Sequence, residues 1–221
     1  MAATMNWVCD FLTGVNELVA IIIGWLLGLV STAGAWLVGT IVKRSRFEKT
    51  VKVELNEVRV KVASFVFLVS SKRGGIDKET VGWCLNQLKK CPGTDECKRI
   101  IDNLTLISES EEEHLDQSNR NTASTLTDLP ALAMPRVYLP FLSSNADSIA
   151  LVCENKRAAL VQILSHIEVL NGKIDDMTFW DRLTFDPGNN SNYTTAIQNS
   201  EMSKDAILAA CKRIANLIDQ I

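Results

Sequence analysis

Residues 18–42, LVAIIIGWLLGLVSTAGAWLVGTIV, contain no charge and no proline, and Lys43, Arg44, Arg46 and Lys49 follow at once. A bilayer core about 30 Å thick takes roughly 20 apolar helical residues at about 1.5 Å rise each. The stretch is long enough to cross. The other strongly apolar run, VASFVFLV at 62–69, is too short and reads as buried in protein.

The flanks set a direction. Before the stretch there is no Lys or Arg, only Asp10 and Glu17. Basic residues close to a span stay on the cytoplasmic side. The expectation is a single pass through the inner or plasma membrane, with the N-terminus outside and residues 43–221 in the cytoplasm. A cleaved signal peptide has a basic start and a shorter apolar core, and neither is present.

The chain beyond the span is long enough for one helical domain or two small ones, and needs no disulfide staples to bury a core. The charge is uneven. Residues 43–100 hold 14 Lys/Arg against 7 Asp/Glu, and residues 101–221 hold 9 against 17. A basic half next to a span suits anionic headgroups; it also suits an anionic ligand site. The acidic total and the lack of a basic stripe with interleaved aromatics argue against double-stranded nucleic acid as a partner. In a reducing cytoplasm Cys84, Cys91, Cys97, Cys153 and Cys211 are expected to be thiols. The gaps within 84–97 do not match a zinc knuckle, so no metal and no cofactor is expected.

Hydrophobic spacing predicts an all-α chain. Residues 1–17 read as a short amphipathic segment at the outer interface, and residues 18–42 as the transmembrane helix. Residues 43–107 read as a basic helical stalk and a helical hairpin. The stalk carries Phe47, Val51, Leu55, Val58, Val62, Phe65 and Val69 in near-heptad spacing. That seam fits either neighbouring chains or the stalk's own domain, and VKVELNEVRVKV also alternates partly like a strand. Gly74–Gly75 break the helix, and Asp77 is placed to cap the next one. Another helix opens at Thr94 or Asp95. Residues 108–128 form a polar linker. Residues 129–221 form a C-terminal helical domain, with helices predicted over 155–171 and 203–218 and a turn-rich loop at 185–193.

Small residues are ordered within the span. Ala20, Gly24, Gly28 and Thr32 recur every fourth position, and Ser31, Ala35 and Gly39 form a second row. Such rows let helix backbones approach, which predicts a homo-oligomer. The hydroxyls of Ser31, Thr32 and Thr40 are expected to bond back to their own helix rather than line a polar seam.

No nucleophile elbow, phosphate loop or zinc-protease motif occurs, and no enzyme is expected. Asp175, Asp176 and Asp181 read as a solvated acidic cluster. The polar segment with most potential is SSKRGG-I-D-K. Ser70 and Ser71 offer hydroxyls, Gly74 offers backbone freedom, and Lys72, Arg73 and Lys78 offer charge near a helix N-terminus. Together they suit a phosphate group.

In layout the chain is similar to the small one-span effectors of bacterial antiviral systems. In those, a cytosolic domain reads a cyclic oligonucleotide and the membrane part disrupts the bilayer. That likeness implies that Ser71, Lys72, Arg73 and Lys78 contact an anionic small molecule and that binding alters assembly of the spans. The rival expectation is a passive membrane-anchored scaffold whose helical domain docks a protein partner.

Overall fold

The computed structural model describes residues 2–73, 76–91, 95–109, 134–184 and 192–221, with side chains from residue 22 onward apart from several in 95–109. All regular structure among them is helical. The elements are α1 (Ala2–Lys72), α2 (Lys78–Lys89), α3 (Asp95–Glu109), α4 (Pro140–Ser144), a 3₁₀ turn (Ala146–Leu151), α5 (Glu154–Thr184) and α6 (Tyr193–Ile218). Residues 1–48 and 49–221 are two compact units.

In the first unit α1 is continuous from Ala2, so no break separates residues 5–17 from the apolar run. Among the described residues, one helix is long and apolar enough to cross a membrane. From Ile22 to Val42 its large apolar side chains stand 41–71% exposed. Thr32 Oγ1 donates to the Gly28 carbonyl at 2.8 Å, and Thr40 Oγ1 to that of Trp36 at 3.0 Å, as their spacing predicts.

The second unit has its own core. Val51, Leu55, Val58, Val62, Phe65 and Val69 of α1 are buried. The near-heptad seam is therefore filled by the chain's own domain, and the strand alternative for VKVELNEVRVKV is excluded: the apolar side chains repeat on a helical face. Full burial of each such side chain contributes on the order of 1.5–3 kcal/mol. Asp77 caps α2, its carboxylate accepting from the Thr80 amide at 2.6 Å. Hydrogen bonding from the Thr80 side chain, and then from its amide, holds the Asp77 carboxyl below its usual range. Asp77→Ala is expected to cost about 1 kcal/mol of domain stability, read as a lowered urea midpoint.

Residues 134–139 have no regular secondary structure before Pro140 opens α4. Met134, Val137 and Leu139 point inward. The Asn171 amide holds Val137 by both backbone groups, accepting from its N–H at 2.8 Å and donating to its carbonyl at 2.9 Å. Glu54 of α1 caps α4, accepting from the amides of Phe141 and Leu142 at 2.8 and 3.0 Å.

α5 and α6 pack extensively along one another. Both exceed their predicted lengths. α5 runs past residue 171 because Leu160, Ile163, Ile167, Leu170, Ile174 and Met177 keep one buried stripe through Gly172. α6 begins ten residues before Ser203. Before Ser203 it buries only Ala196 and Ser200, small residues that carry no apolar signal in the sequence. The polar linker falls largely on residues outside the described set, as do Gly74, Gly75 and most of the 185–193 loop.

Candidate functional site

The segment expected to bind phosphate lies where α1 ends. The helix stops at Lys72 ahead of the Gly-Gly pair, and the Arg73 amide closes the last turn on the Ser70 carbonyl at 3.2 Å. Ser71 is buried, and its hydroxyl donates back to the Phe67 carbonyl at 2.8 Å. Ser70 is half-buried and Lys78 is exposed at the first position of α2. Ile76 packs into the core between them.

The two central cations face carboxylates from the α5–α6 pair. Lys72 Nζ lies 3.7 Å from Asp181 Oδ2. The Ser200 hydroxyl donates to the other oxygen of the same carboxylate. Arg73 reaches further along α6, with Nε 3.1 Å from Glu201 and Nη1 2.5 Å from Asp205. Lys204 is largely buried and pairs with Glu201 at 2.7 Å. The contacts make two neighbouring groups, Lys72 with Asp181 and Ser200, and Arg73 and Lys204 with Glu201 and Asp205.

The electrostatics fit that picture. Burial lowers the pKa of the Lys72 ammonium, and the nearby charge of Lys204 adds to this; Asp181 works the other way without cancelling it. Arg73 is held above its usual value by its hydrogen bond to Asp205. At the mouth of α2 the Asp77 carboxylate already accepts a free backbone N–H. Among the described residues, an incoming phosphate therefore meets no open cradle. It has to take Lys72 and Arg73 from Asp181, Glu201 and Asp205. Ion pairs as exposed as those of Arg73 are individually weak, so such an exchange is within reach of a multiply charged anion.

Asp175, Asp176 and Asp181 do not converge. Asp175 pairs with Arg136, Asp176 with Lys173 and Asp181 with Lys72. No group of three or more potential metal ligands occurs among the described residues. Cys84, Cys91, Cys153 and Cys211 are free thiols. Burial pushes Cys84 up to about 11 and Cys211 up to about 12, so neither carries a reactive thiolate at neutral pH.

A second buried polar cluster has no signal in the sequence. Arg59 Nη1 donates to Gln87 Oε1 at 2.7 Å and to Asp219 Oδ1 at 2.6 Å, and Lys90 Nζ lies 2.6 Å from Asp219 Oδ2. It ties α1, α2 and the end of α6 together. Its members are separated by up to 160 residues in the chain.

In the span, Gly24, Gly28 and Gly39 have open space where a side chain would stand. Thr32 is exposed and Ala35 likewise, while Ala20 lies among residues whose side chains are not described. Comparison with protein-family models, with curated proteins and with solved structures finds no match.

Proposed function

We propose that the chain is a membrane-anchored, self-associating docking protein. In this reading α1 crosses the bilayer between residues 18 and 42, the N-terminus lies outside, and the helical domain stands at the cytoplasmic face and binds a protein partner. The observation that carries the reading is the contrast in burial along one helix. The large apolar side chains of residues 22–42 are exposed, whereas Val51, Leu55, Val58, Val62, Phe65 and Val69 further along the helix are closed into a core. An apolar surface that long is unstable in water and matches the thickness of a hydrocarbon layer. The rows through Gly24 and Gly28 supply the surface for self-association.

A signal-responsive form of the same reading is favoured by one feature. At the end of α1, Lys72 pairs with Asp181 of α5 in a largely buried contact, and Arg73 pairs with Glu201 and Asp205 of α6 at the surface. An anion such as a cyclic oligonucleotide that took these cations would rearrange the ion pairs where α1 ends, and so bias how the spans associate.

One measurement tests the anchor and a second separates the forms. Both readings require that the chain leave the membrane fraction only with detergent, and that protease added outside intact cells spare the C-terminal domain. The full chain in detergent is then unfolded thermally with and without cyclic dinucleotides and inorganic polyphosphate. A ligand at about 100 times its Kd adds about 2.7 kcal/mol, a rise of several degrees in Tm. A rise that disappears in Lys72→Ala/Arg73→Ala supports the signal-responsive form. A flat response to all of them supports docking alone.

A further inference from the structure

We propose that Lys43, Arg44 and Arg46 form a collar that binds the phosphate groups of anionic phospholipids in the leaflet where the span ends. The inference rests on the membrane-crossing reading and adds the lipid class. All three side chains are exposed on α1, and they begin at the residue after the last uncharged position, Val42. At about 1.5 Å rise per residue, positions 43–46 fall within roughly 6 Å of the end of the apolar run. A headgroup layer is about 5–8 Å deep on each side of the hydrocarbon. The cations therefore sit at the depth of the lipid phosphates, and their flexible stems lie along the apolar boundary while the heads reach the polar layer.

Their distribution around the helix decides between a lipid ring and a single small ligand. With roughly 100° per residue, Lys43, Arg44 and Arg46 stand at about 0°, 100° and 300°. They do not converge on one point. Separate headgroups around a rod fit this arrangement, and one compact polyanion does not. Arg44 follows Gly28 by 16 residues, which is about 160° round the axis. Self-association through the small-residue face thus leaves Arg44 turned toward lipid.

The acid that pairs with Arg44 competes weakly. Arg44 Nε lies 3.0 Å from Glu48 Oε1, in an i,i+4 pair exposed to solvent at both ends. Such a pair contributes little, and its guanidinium can present a second edge to phosphate. Arg fits a phosphate bidentately, and Lys43 adds a point charge.

The test uses the full chain reconstituted in phosphatidylcholine–phosphatidylglycerol vesicles, with bromine on the acyl chains of one lipid or the other. Trp25 and Trp36 are 67% and 71% exposed on the span and report the lipids that touch it. A cation at an anionic surface favours an anionic lipid about five-fold. At low salt, brominated phosphatidylglycerol is therefore expected to quench as though it were enriched about five-fold over brominated phosphatidylcholine. Lys43→Gln/Arg44→Gln/Arg46→Gln should remove the enrichment and leave quenching by brominated phosphatidylcholine unchanged. Equal quenching by the two lipids in the wild-type chain would overturn the collar while the span stood. Absence of quenching by either lipid would overturn the span as well. An enrichment erased by inorganic phosphate, but not by sodium chloride of equal ionic strength, would assign the cations to a soluble anion and also overturn the proposal.

Discussion

Arg59→Ala is expected to lower the unfolding free energy of the helical domain by about 2–4 kcal/mol, read as a shift of the urea midpoint by circular dichroism. The substitution removes a buried guanidinium that serves two acceptors. Gln87, only 3% exposed, loses the donor to its amide oxygen. Asp219 keeps Lys90 and some solvent, so its loss is partial. The Nε of Arg59 is buried and makes no hydrogen bond among the described residues. The wild-type cluster thus already carries an unmet donor. That sets up a second, contrasting result. Arg59→Met with Gln87→Leu fills the same space without polar atoms, and should recover most of the loss. A double variant as unstable as Arg59→Ala would show that the ion pair itself, and not the unpaired partner, sets the cost.

The same cluster gives the domain an acid limit. Partial burial pushes the Asp219 carboxyl upward, but hydrogen bonds from Lys90 and Arg59 outweigh it and hold the net pKa below the usual value. A carboxyl with a depressed folded pKa contributes its full stabilisation above its unfolded pKa, and loses it as pH falls through the folded one. The contribution of Asp219 is therefore present at neutral pH and is lost below about pH 4. Asp219→Asn should flatten that part of the acid unfolding curve.

Local repetition is what made parts of the fold legible in the sequence. The uncharged run at 18–42, the seam from Phe47 to Val69 and the Asp77 cap each need only a few adjacent residues, and each appears in the structure as helix, buried face or cap. The rest depends on distance along the chain. Lys72 and Arg73 looked free because Asp181, Glu201 and Asp205 lie more than a hundred residues away. The pairing of α5 with α6 brings all three carboxylates to the end of α1, and no spacing rule foretells that. The start of α6 was hidden for another reason. Close helix packing at Ala196 and Ser200 uses small side chains, and these resemble a loop in hydropathy. The length of α5 was obscured by Gly172 and the two aspartates beyond it, all of which lie on its exposed side.

Gly24→Leu with Gly28→Leu should convert oligomers of the full chain in mild detergent to monomers, as read by light scattering and by cross-linking. Beyond the helix's own adjacent backbone, neither position has an atom within 4 Å of where the added Cβ would stand, so added bulk there points into open space in the single chain. Leucine is also a better helix former than glycine. Any loss of assembly therefore belongs to the contact between chains. Bulk on that face holds the backbones apart and removes the close packing that favours association in lipid or detergent. A loss of about 3 kcal/mol weakens the assembly more than a hundred-fold. Gly34→Leu is the control. Its Cβ would also stand in open space, but it lies about 120° round the helix from Gly28 and outside both small-residue rows. Oligomers that persist in the double variant would reject the small-residue face as the site of assembly. Oligomers lost equally in Gly34→Leu would show that the span responds to added bulk anywhere, and would reject a face altogether.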